Sequence, residues 1–113
     1  MTLKPGNIVT VSFPCTDMSD VKRRPSLVLL LRGDDLVVCG MTSRLSGRSD
    51  AVVVDLDDMA EGRLPKRSEI RPLKLFTIHR SLVRSVVGRV NDETLDRVVS
   101  VLTSTLDCAR RKP

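Results

Sequence analysis

The stretch Lys22-Arg23-Arg24-Pro25-Ser26-Leu27-Val28-Leu29-Leu30-Leu31 joins three basic residues to an apolar-rich run. Pro25 lacks an N–H group and has a fixed φ, so it suits the first residue of a strand but not the middle of one. The six residues after it fit a strand that is covered on both faces. We therefore predict a buried strand over Pro25–Leu31, with a dense positive charge directly before its first residue. Because Arg24 precedes a rigid neighbour, its guanidinium is held more firmly than in a free tail, which suits phosphate recognition.

Further short strands are predicted on both sides of this stretch from β-branched and aromatic runs. They are Ile8–Phe13, Leu36–Thr42, Ala51–Leu56, a strand from Ser68 that bends at Pro72 and continues through Ile78, and a short last strand within Val83–Val90. Segments rich in polar residues, glycine or proline separate these runs and predict loops and turns. They are Cys15–Arg23, Arg32–Asp35, Ser43–Asp50 and Asp57–Arg67.

The apolar spacing changes to a helical period after Asn91, which is a good N-cap residue. The apolar positions that share one predicted helix face are Leu95, Val98, Val99, Leu102 and Leu106. The helix is expected to end near Ala109, with basic residues at its carboxyl end. Five or six short strands and one C-terminal helix predict a mainly β fold, a small curled sheet or barrel packed by that helix. A length of 113 residues favours one domain over residues 1–113.

Composition narrows the class of partner. The net charge is +5, but residues 1–60 carry a net charge of −1 and residues 61–113 a net charge of +6. A basic half suits a polyanion partner, although solubility alone also explains it. The chain has no Trp or Tyr and two Phe residues, which argues against a binder of single strands built on aromatic stacking.

The cellular location of the protein and its lack of a metal site are predicted from sequence features that are absent. No apolar run approaches the length of a membrane span, and the first residues do not form the apolar core of a signal peptide, so we expect a cytoplasmic protein with no membrane partner. The three cysteines are scattered without a CxxC pattern, so we expect buried free thiols, no metal site and no cofactor. A single histidine, His79, rules out a ribonuclease that uses two imidazoles of one chain, and we expect His79 at the surface or partly packed.

Candidate binding residues gather at strand ends, and each has a plainer interpretation. The segment from Pro14 to Arg24 is either a solvated hairpin loop or an anion site, in which Lys22 and Arg23 make looser electrostatic contacts. Thr42 is either a simple β former or a hydroxyl donor to phosphate, beside a basic loop that holds Ser43, Arg44 and Arg48. The stretch Ser68-Glu69-Ile70-Arg71, with Lys74, is either an edge strand guarded by charge or a second wall of an RNA groove.

The ordered set of these motifs resembles the MazF/PemK-like toxin family. The segments that carry the resemblance are Gly6-Asn7-Ile8-Val9, Phe13-Pro14 with Thr16-Asp17, Lys22 to Leu29, Met41-Thr42-Ser43-Arg44, Ser68 to Lys74, Thr77-Ile78 and Gly88-Arg89-Val90 before the terminal helix. The resemblance implies an SH3-like barrel and usually a homodimer. It also implies a toxin whose cognate antitoxin wraps the dimer and blocks its groove.

The resemblance further implies a metal-independent endoribonuclease that cuts single-stranded RNA, often mRNA, at short sequences. Arg24 matches the catalytic arginine of the family, and Thr42 matches its hydroxyl partner. The 2′-OH would attack phosphorus, leaving a 2′,3′-cyclic phosphate and a 5′-OH. Some members carry an aspartate where this chain has Leu73, so the general base stays open between Asp17 and Asp20.

Two other functions compete with RNA cleavage. One is a non-catalytic toxin of the same fold that binds a protein target, as the gyrase-poisoning CcdB proteins do. The other is an RNA-binding module of this fold that does not cut. The Lys-Arg-Arg-Pro and Thr-Ser-Arg pair favours cleavage.

Overall fold

The computed structural model describes residues 2–14 and 21–111, without the side chains of residues 13, 14 and 21–23. In this part of the chain, seven antiparallel strands form one sheet that curls into a half-barrel, in the order β4-β6-β3-β2-β1-β7-β5. The strands are β1 Asn7–Pro14, β2 Val21–Arg32, β3 Asp35–Thr42, β4 Val52–Val54, β5 Met59–Gly62, β6 Ser68–His79 and β7 Val83–Val90, and the helix α1 Asp92–Arg111 follows them. The predicted fold class, mainly β with a C-terminal helix, is confirmed.

Apolar side chains are buried on both faces of the sheet. The helix-side core consists of Ile8, Leu27, Cys39, Met41, Val52, Val54, Leu64, Ile70, Val90 and Val98. The opposite core consists of Leu3, Val9, Val11, Val28, Leu36, Val38 and Ile78. Leu27 and Val28 are adjacent in β2 and fully buried in different cores, as a strand covered on both faces requires. Leu30 departs from this prediction and is 47% exposed, because the register with β3 shifts between Val28 and Leu30.

β2 begins earlier than predicted. It starts at Val21, so Pro25 lies inside the strand instead of at its first residue. Pairing with β1 runs from Val21 to Leu27, whereas pairing with β3 begins only at Ser26. At Pro25 the strand therefore has a neighbour on one side only, the setting in which a strand tolerates a residue without an N–H group.

The segment from Ala51 to Arg67 was predicted less well. The fourth strand is shorter than Ala51–Leu56 because the chain turns into a 3₁₀ helix over Leu56–Asp58. β5 then forms inside the segment that was predicted as a turn, and it pairs with β7. Its pairing depends on two glycines, since a Cβ atom on Gly62 would lie 2.3 Å from the carbonyl oxygen of Val87 and one on Gly88 would lie 2.2 Å from that of Glu61.

The terminal helix begins as predicted, with the amide of Thr94 donating to Oδ1 of Asn91 at 2.8 Å. Its buried side holds Thr94 and Val98, whereas Val99 is 41% and Leu106 is 56% exposed. The predicted apolar stripe is therefore wrong at these two positions, because only one side of it packs on the sheet. No helix of the described residues is long and apolar enough to cross a membrane.

Cysteine burial was predicted in part. Cys39 is a buried free thiol, and burial raises its pKa to about 12. Cys108 is exposed on the last turns of the helix, so the expectation of burial is wrong there. Cys15 lies outside the described residues.

The contact between β5 and β7 yields a stability test. Gly88→Ala places a methyl group against backbone and should lower the free energy of unfolding by about 1–3 kcal/mol, the usual cost of overpacking, or more because backbone cannot rotate away. Gly33→Ala is the matched control, since nothing lies within 4 Å of its Cβ position and only the positive φ of 60° is strained. The control should cost about 1 kcal/mol in urea unfolding, and an equal or smaller loss for Gly88→Ala would contradict the close approach.

Candidate functional site

The register of β2 and β3 brings the two strand ends together. Ser26 pairs with Gly40 in this antiparallel ladder. Arg24 and Thr42 each lie two residues beyond this pair, past the end of the β2–β3 ladder, and alternation along each strand puts both on the face of Ser26 and Gly40. β6 adds to this face, since Arg71 pairs with Gly40 and Glu69 pairs with Thr42. Residues from three strands, β2, β3 and β6, thus meet on the face of the sheet that carries the opposite core.

A cavity of about 790 Å³ opens over these strand ends, and we call it the basic pocket. Its lining consists of Arg24, Pro25, Ser26, Gly40, Met41, Thr42, Ser43, Arg44, Arg71, Lys74 and Phe76. None of these residues carries a carboxylate, and four carry a positive charge. The composition suits an anion in a partly enclosed site.

Three of the four pocket cations have no ion-pair partner among the residues that the structure describes. These are Arg24, Arg44 and Lys74, whereas Nε of Arg71 donates to Oε2 of Glu69 at 2.9 Å. Glu69 therefore offsets one charge and leaves an excess of three positive charges around the cavity. Such a cluster attracts phosphate groups, and arginine adds paired N–H donors that match phosphate oxygens.

The hydroxyl of Thr42 is oriented by the backbone of the next turn. The amide of Arg44 donates to Oγ1 of Thr42 at 3.1 Å, so a lone pair of the hydroxyl oxygen is in use. The hydroxyl proton is then available for an acceptor in the cavity. Thr42 is half-buried, which keeps this donor at the cavity wall.

Gly40 gives the basic pocket its floor. A Cβ atom at Gly40 would lie 3.3 Å from Cδ of Lys74, so the aliphatic stem of Lys74 runs over the glycine. The ladder with β6 is irregular at this point: Cys39 pairs with Leu75, and Gly40 already pairs with Arg71. This irregularity moves Lys74 out of the ladder and over the cavity floor.

Glu69 is buried, with an exposed fraction of 1%, and its oxygens are fully engaged. Its Oε1 accepts from the amide of Ser46 at 2.8 Å, and the hydroxyl of Ser46 lies 2.9 Å from both carboxylate oxygens. The hydrogen bond from the Ser46 amide, followed by the one from Arg71, holds the pKa of the Glu69 carboxyl below its ordinary value, although burial opposes this. Glu69 is thus a buried, ionised carboxylate that joins the loop of residues 43–50 to β6.

The structure places the predicted binding residues unevenly. Arg24, Thr42, Ser43, Arg44, Arg71 and Lys74 line the basic pocket. Arg48 pairs with Asp50 at 3.1 Å and lines a neighbouring recess of about 250 Å³ that also touches Arg71 and Lys74. Ser68 is buried and donates to the carbonyl of Lys66, outside the basic pocket. The side chains of Lys22 and Arg23, and the whole of Asp17 and Asp20, lie outside the described part of the chain.

Arg24, Pro25, Thr42 and Ser43 also border a second cavity of about 610 Å³. The other residues around it are mostly apolar, among them Ile8, Leu64 and Val87. The predicted catalytic pair therefore borders two cavities, one basic and one mostly apolar.

His79 is exposed, as expected, and has a local structural role. Its Nδ1 accepts from the amide of Ser81 at 3.1 Å and caps the short 3₁₀ helix Arg80–Leu82. Among the described residues, no three His, Cys, Asp or Glu side chains are grouped closely enough to hold a metal ion.

Sequence reasoning missed Glu69, Gly40 and Phe76 as parts of this region. Glu69 was considered only as part of the stretch from Ser68 to Lys74, either an edge strand guarded by charge or a second wall of an RNA groove, and not as a site residue. The spacing of Glu69 and Arg71 could have predicted their ion pair, because residues two apart in a strand point to the same face. No signal in the sequence shows that Ser46 folds over the carboxylate.

The chain belongs to the family described as PemK-like, MazF-like toxins of type II toxin–antitoxin systems, whose sequence model matches residues 4–106. The resemblance drawn from the motifs is therefore confirmed. A search of curated proteins found no match.

Solved structures of low sequence identity share the fold. A MazE–MazF structure from Deinococcus radiodurans superposes with a TM-score of 0.76 at 20% identity, covering 93% of this chain and 96% of that one. A mycobacterial endoribonuclease in complex with its cognate antitoxin gives a TM-score of 0.73 at 14% identity, with 94% and 96% covered. The Mycobacterium tuberculosis toxin MazF-mt6 gives 0.68 at 19% identity, with 89% and 96% covered.

The lowered pKa of Glu69 can be measured directly by following its carboxyl carbon in an NMR titration. The midpoint should lie below the ordinary glutamate value, because hydrogen bonds in the folded protein stabilise the ionised carboxylate and the unfolded chain lacks them. This contribution to stability is complete above the unfolded pKa and disappears as the pH falls through the folded one. Arg71→Gln should raise the midpoint, whereas Arg97→Gln, which removes an arginine paired with Asp58, should leave it unchanged. A midpoint in wild type at or above the ordinary value would contradict the hydrogen-bond network.

Proposed function

We propose that this toxin is a metal-independent endoribonuclease that cleaves single-stranded RNA, chiefly mRNA, at short sequences. The observation that carries the proposal is the convergence of Arg24 and Thr42 with three further cations on one cavity, whose described lining holds no carboxylate. A mycobacterial structure that shares the fold is named an endoribonuclease, which supports the same activity here.

The proposed reaction is an internal transesterification. The ribose 2′-oxygen forms a bond to the adjacent phosphorus, and the bond from phosphorus to the 5′-oxygen breaks. The 2′-OH proton goes to a base, and the departing 5′-oxygen takes up a proton. The products are a 2′,3′-cyclic phosphate and a 5′-OH end. No electron acceptor or cofactor is needed for this balance.

Arg24 and Thr42 act on the charge that develops at phosphorus. The pentacoordinate transition state carries more negative charge on its non-bridging oxygens than the substrate does. The Arg24 guanidinium stabilises that charge through N–H donors, and the hydroxyl proton of Thr42 donates to a non-bridging oxygen. Arg44, Arg71 and Lys74 hold the flanking phosphates, which positions the strand without reading its bases.

The general base is not Glu69. Both of its oxygens already accept hydrogen bonds, and its pKa is lowered, so it binds a proton poorly at neutral pH. Arg24 is also a poor base, because a guanidinium keeps its protons in a folded protein at neutral pH. Asp17 and Asp20, which precede Arg24 in the sequence, remain the proposed candidates.

A homodimer and a cognate antitoxin complete the proposed function. The Deinococcus radiodurans structure contains MazE with MazF, and a mycobacterial one contains a cognate antitoxin. We infer that this chain has an antitoxin that blocks the same groove, and an acidic segment of it would complement the basic pocket.

Cleavage is tested by incubating RNA with the protein in EDTA. Fragments with 2′,3′-cyclic phosphate and 5′-OH ends are expected, and Arg24→Ala should lower the rate by about 10²–10³-fold, since it removes a transition-state donor. Arg32→Ala is the matched control, because it removes an exposed arginine from the far end of the same strand, and it should leave the rate within about twofold.

The same assay separates the competing functions. RNA that stays intact but is retarded in a gel indicates a binding module that does not cut. RNA that stays intact and unbound indicates a toxin with a protein target. Either outcome would overturn the proposed nuclease.

The donor role of Thr42 has its own test. Thr42→Val keeps the shape of the side chain but removes the hydroxyl, and should lower kcat by about 10²-fold with a smaller change in KM. Thr42→Ser keeps the donor and should retain most of the activity. Equal losses in the two variants would show that Thr42 serves packing instead of the reaction.

A further inference from the structure

We propose that Glu69 is a positioning residue whose buried carboxylate fixes both the loop of residues 43–50 and Arg71 at the basic pocket. The inference concerns the RNA site and therefore rests on the proposed function for its binding arm. Glu69 lies outside the lining of the basic pocket, so it acts on a bound strand only through the residues that it holds.

The loop side of this arrangement depends on Ser46. Both its amide and its hydroxyl donate to Glu69, and the hydroxyl oxygen in turn lies 3.3 Å from the amide of Arg48. The carboxylate thus holds an otherwise exposed loop at Ser46 and, through the Ser46 hydroxyl, at Arg48. Arg44 lines the basic pocket from that loop, between Thr42, to whose Oγ1 its amide donates, and Ser46. The Ser46 contact therefore holds one end of the segment that carries Arg44.

The strand side depends on how Arg71 meets the carboxylate. Arg71 donates to Glu69 through Nε, which leaves the two terminal NH₂ groups of the guanidinium for a ligand. Arg71 is partly exposed at 30%, whereas Glu69 is 1% exposed. A carboxylate held this firmly fixes the plane of the guanidinium, and a fixed plane favours paired hydrogen bonds to phosphate.

A charge argument and a positioning argument predict opposite results for Glu69→Gln. Removal of a carboxylate makes the pocket more positive, so charge alone predicts tighter binding of RNA. Glutamine keeps an acceptor for Ser46, but its NH₂ group cannot accept from Arg71, so the guanidinium loses its fixed plane. Positioning therefore predicts weaker binding despite the more favourable charge.

The binding arm uses a fluorescent RNA oligonucleotide with 2′-O-methyl sugars, which lacks the free 2′-OH that the proposed reaction needs. Glu69→Gln should raise its Kd about tenfold, the size of one lost hydrogen bond between charged groups. Asp50→Asn is the matched control, because it removes the same charge from the loop that Glu69 holds and weakens the ion pair with Arg48, and it should bind as tightly as wild type or more tightly. With cleavable RNA, Glu69→Gln should raise KM more than it lowers kcat, since Arg24 and Thr42 are unchanged.

A second arm reports on the loop without RNA. Trypsin should cut Glu69→Gln faster than wild type after Arg44 and Arg48, while cutting after Lys66 and Arg67 serves as an internal reference that stays constant. Ser46→Ala, which keeps the amide donor, should change the results of both experiments in the same direction by a smaller factor, and it replaces Glu69→Gln if that variant does not fold.

If wild type does not bind the oligonucleotide but Glu69→Gln opens the loop, the nuclease proposal fails and the positioning of the loop stands. Binding equal to or tighter than wild type, with unchanged cutting after Arg44 and Arg48, overturns the role of Glu69.

Discussion

The pairing of Ser26 with Gly40 is the constraint on which the site depends. Alternation along the strands puts Arg24 and Thr42 on the face that these two small residues share, and the small residues leave room for a cavity above them. A slip of one residue in this register would turn one strand over relative to the other and put Arg24 and Thr42 on different faces. The geometry of the site is therefore decided by backbone pairing before any contact between the functional groups is considered.

Hydrophobic burial keeps that register in place. Leu27 and Val28 follow directly after Ser26 and are buried on opposite faces, so a slip would exchange the two cores they fill. Arg24 is exposed and has no ion pair among the described residues, so side-chain contacts there do little to hold it. Its position follows from the strand, and the strand is held by apolar residues a few positions away. The apolar packing inside the sheet therefore also determines the geometry of the basic pocket.

Local patterns were sufficient for the elements that carry their own signal. The first three strands and the cap at Asn91 follow from β-branched runs and capping chemistry, and the resemblance of motifs indicated the family. β5 could not be predicted, since Met59–Gly62 has no strand pattern and forms only because Gly62 and Gly88 let two backbones approach. Glu69 was missed for a similar reason: its burial comes from Ser46, which lies 23 residues away in the sequence. Contacts of this kind are properties of the folded chain, and no window of sequence contains them.

The net charge of a stretch of sequence was also a poor guide to the position of the site. The sum over each half of the chain directed attention to the basic half, yet Arg24 and Arg44 come from the half with a net charge of −1. In the basic half, several arginines are already paired, as Arg97 is with Asp58 and Arg110 is with Asp107. A paired arginine contributes little field at a distance, because its partner cancels it. Cations that converge on one cavity without carboxylates in its lining therefore indicate an anion site better than a regional sum of charges does.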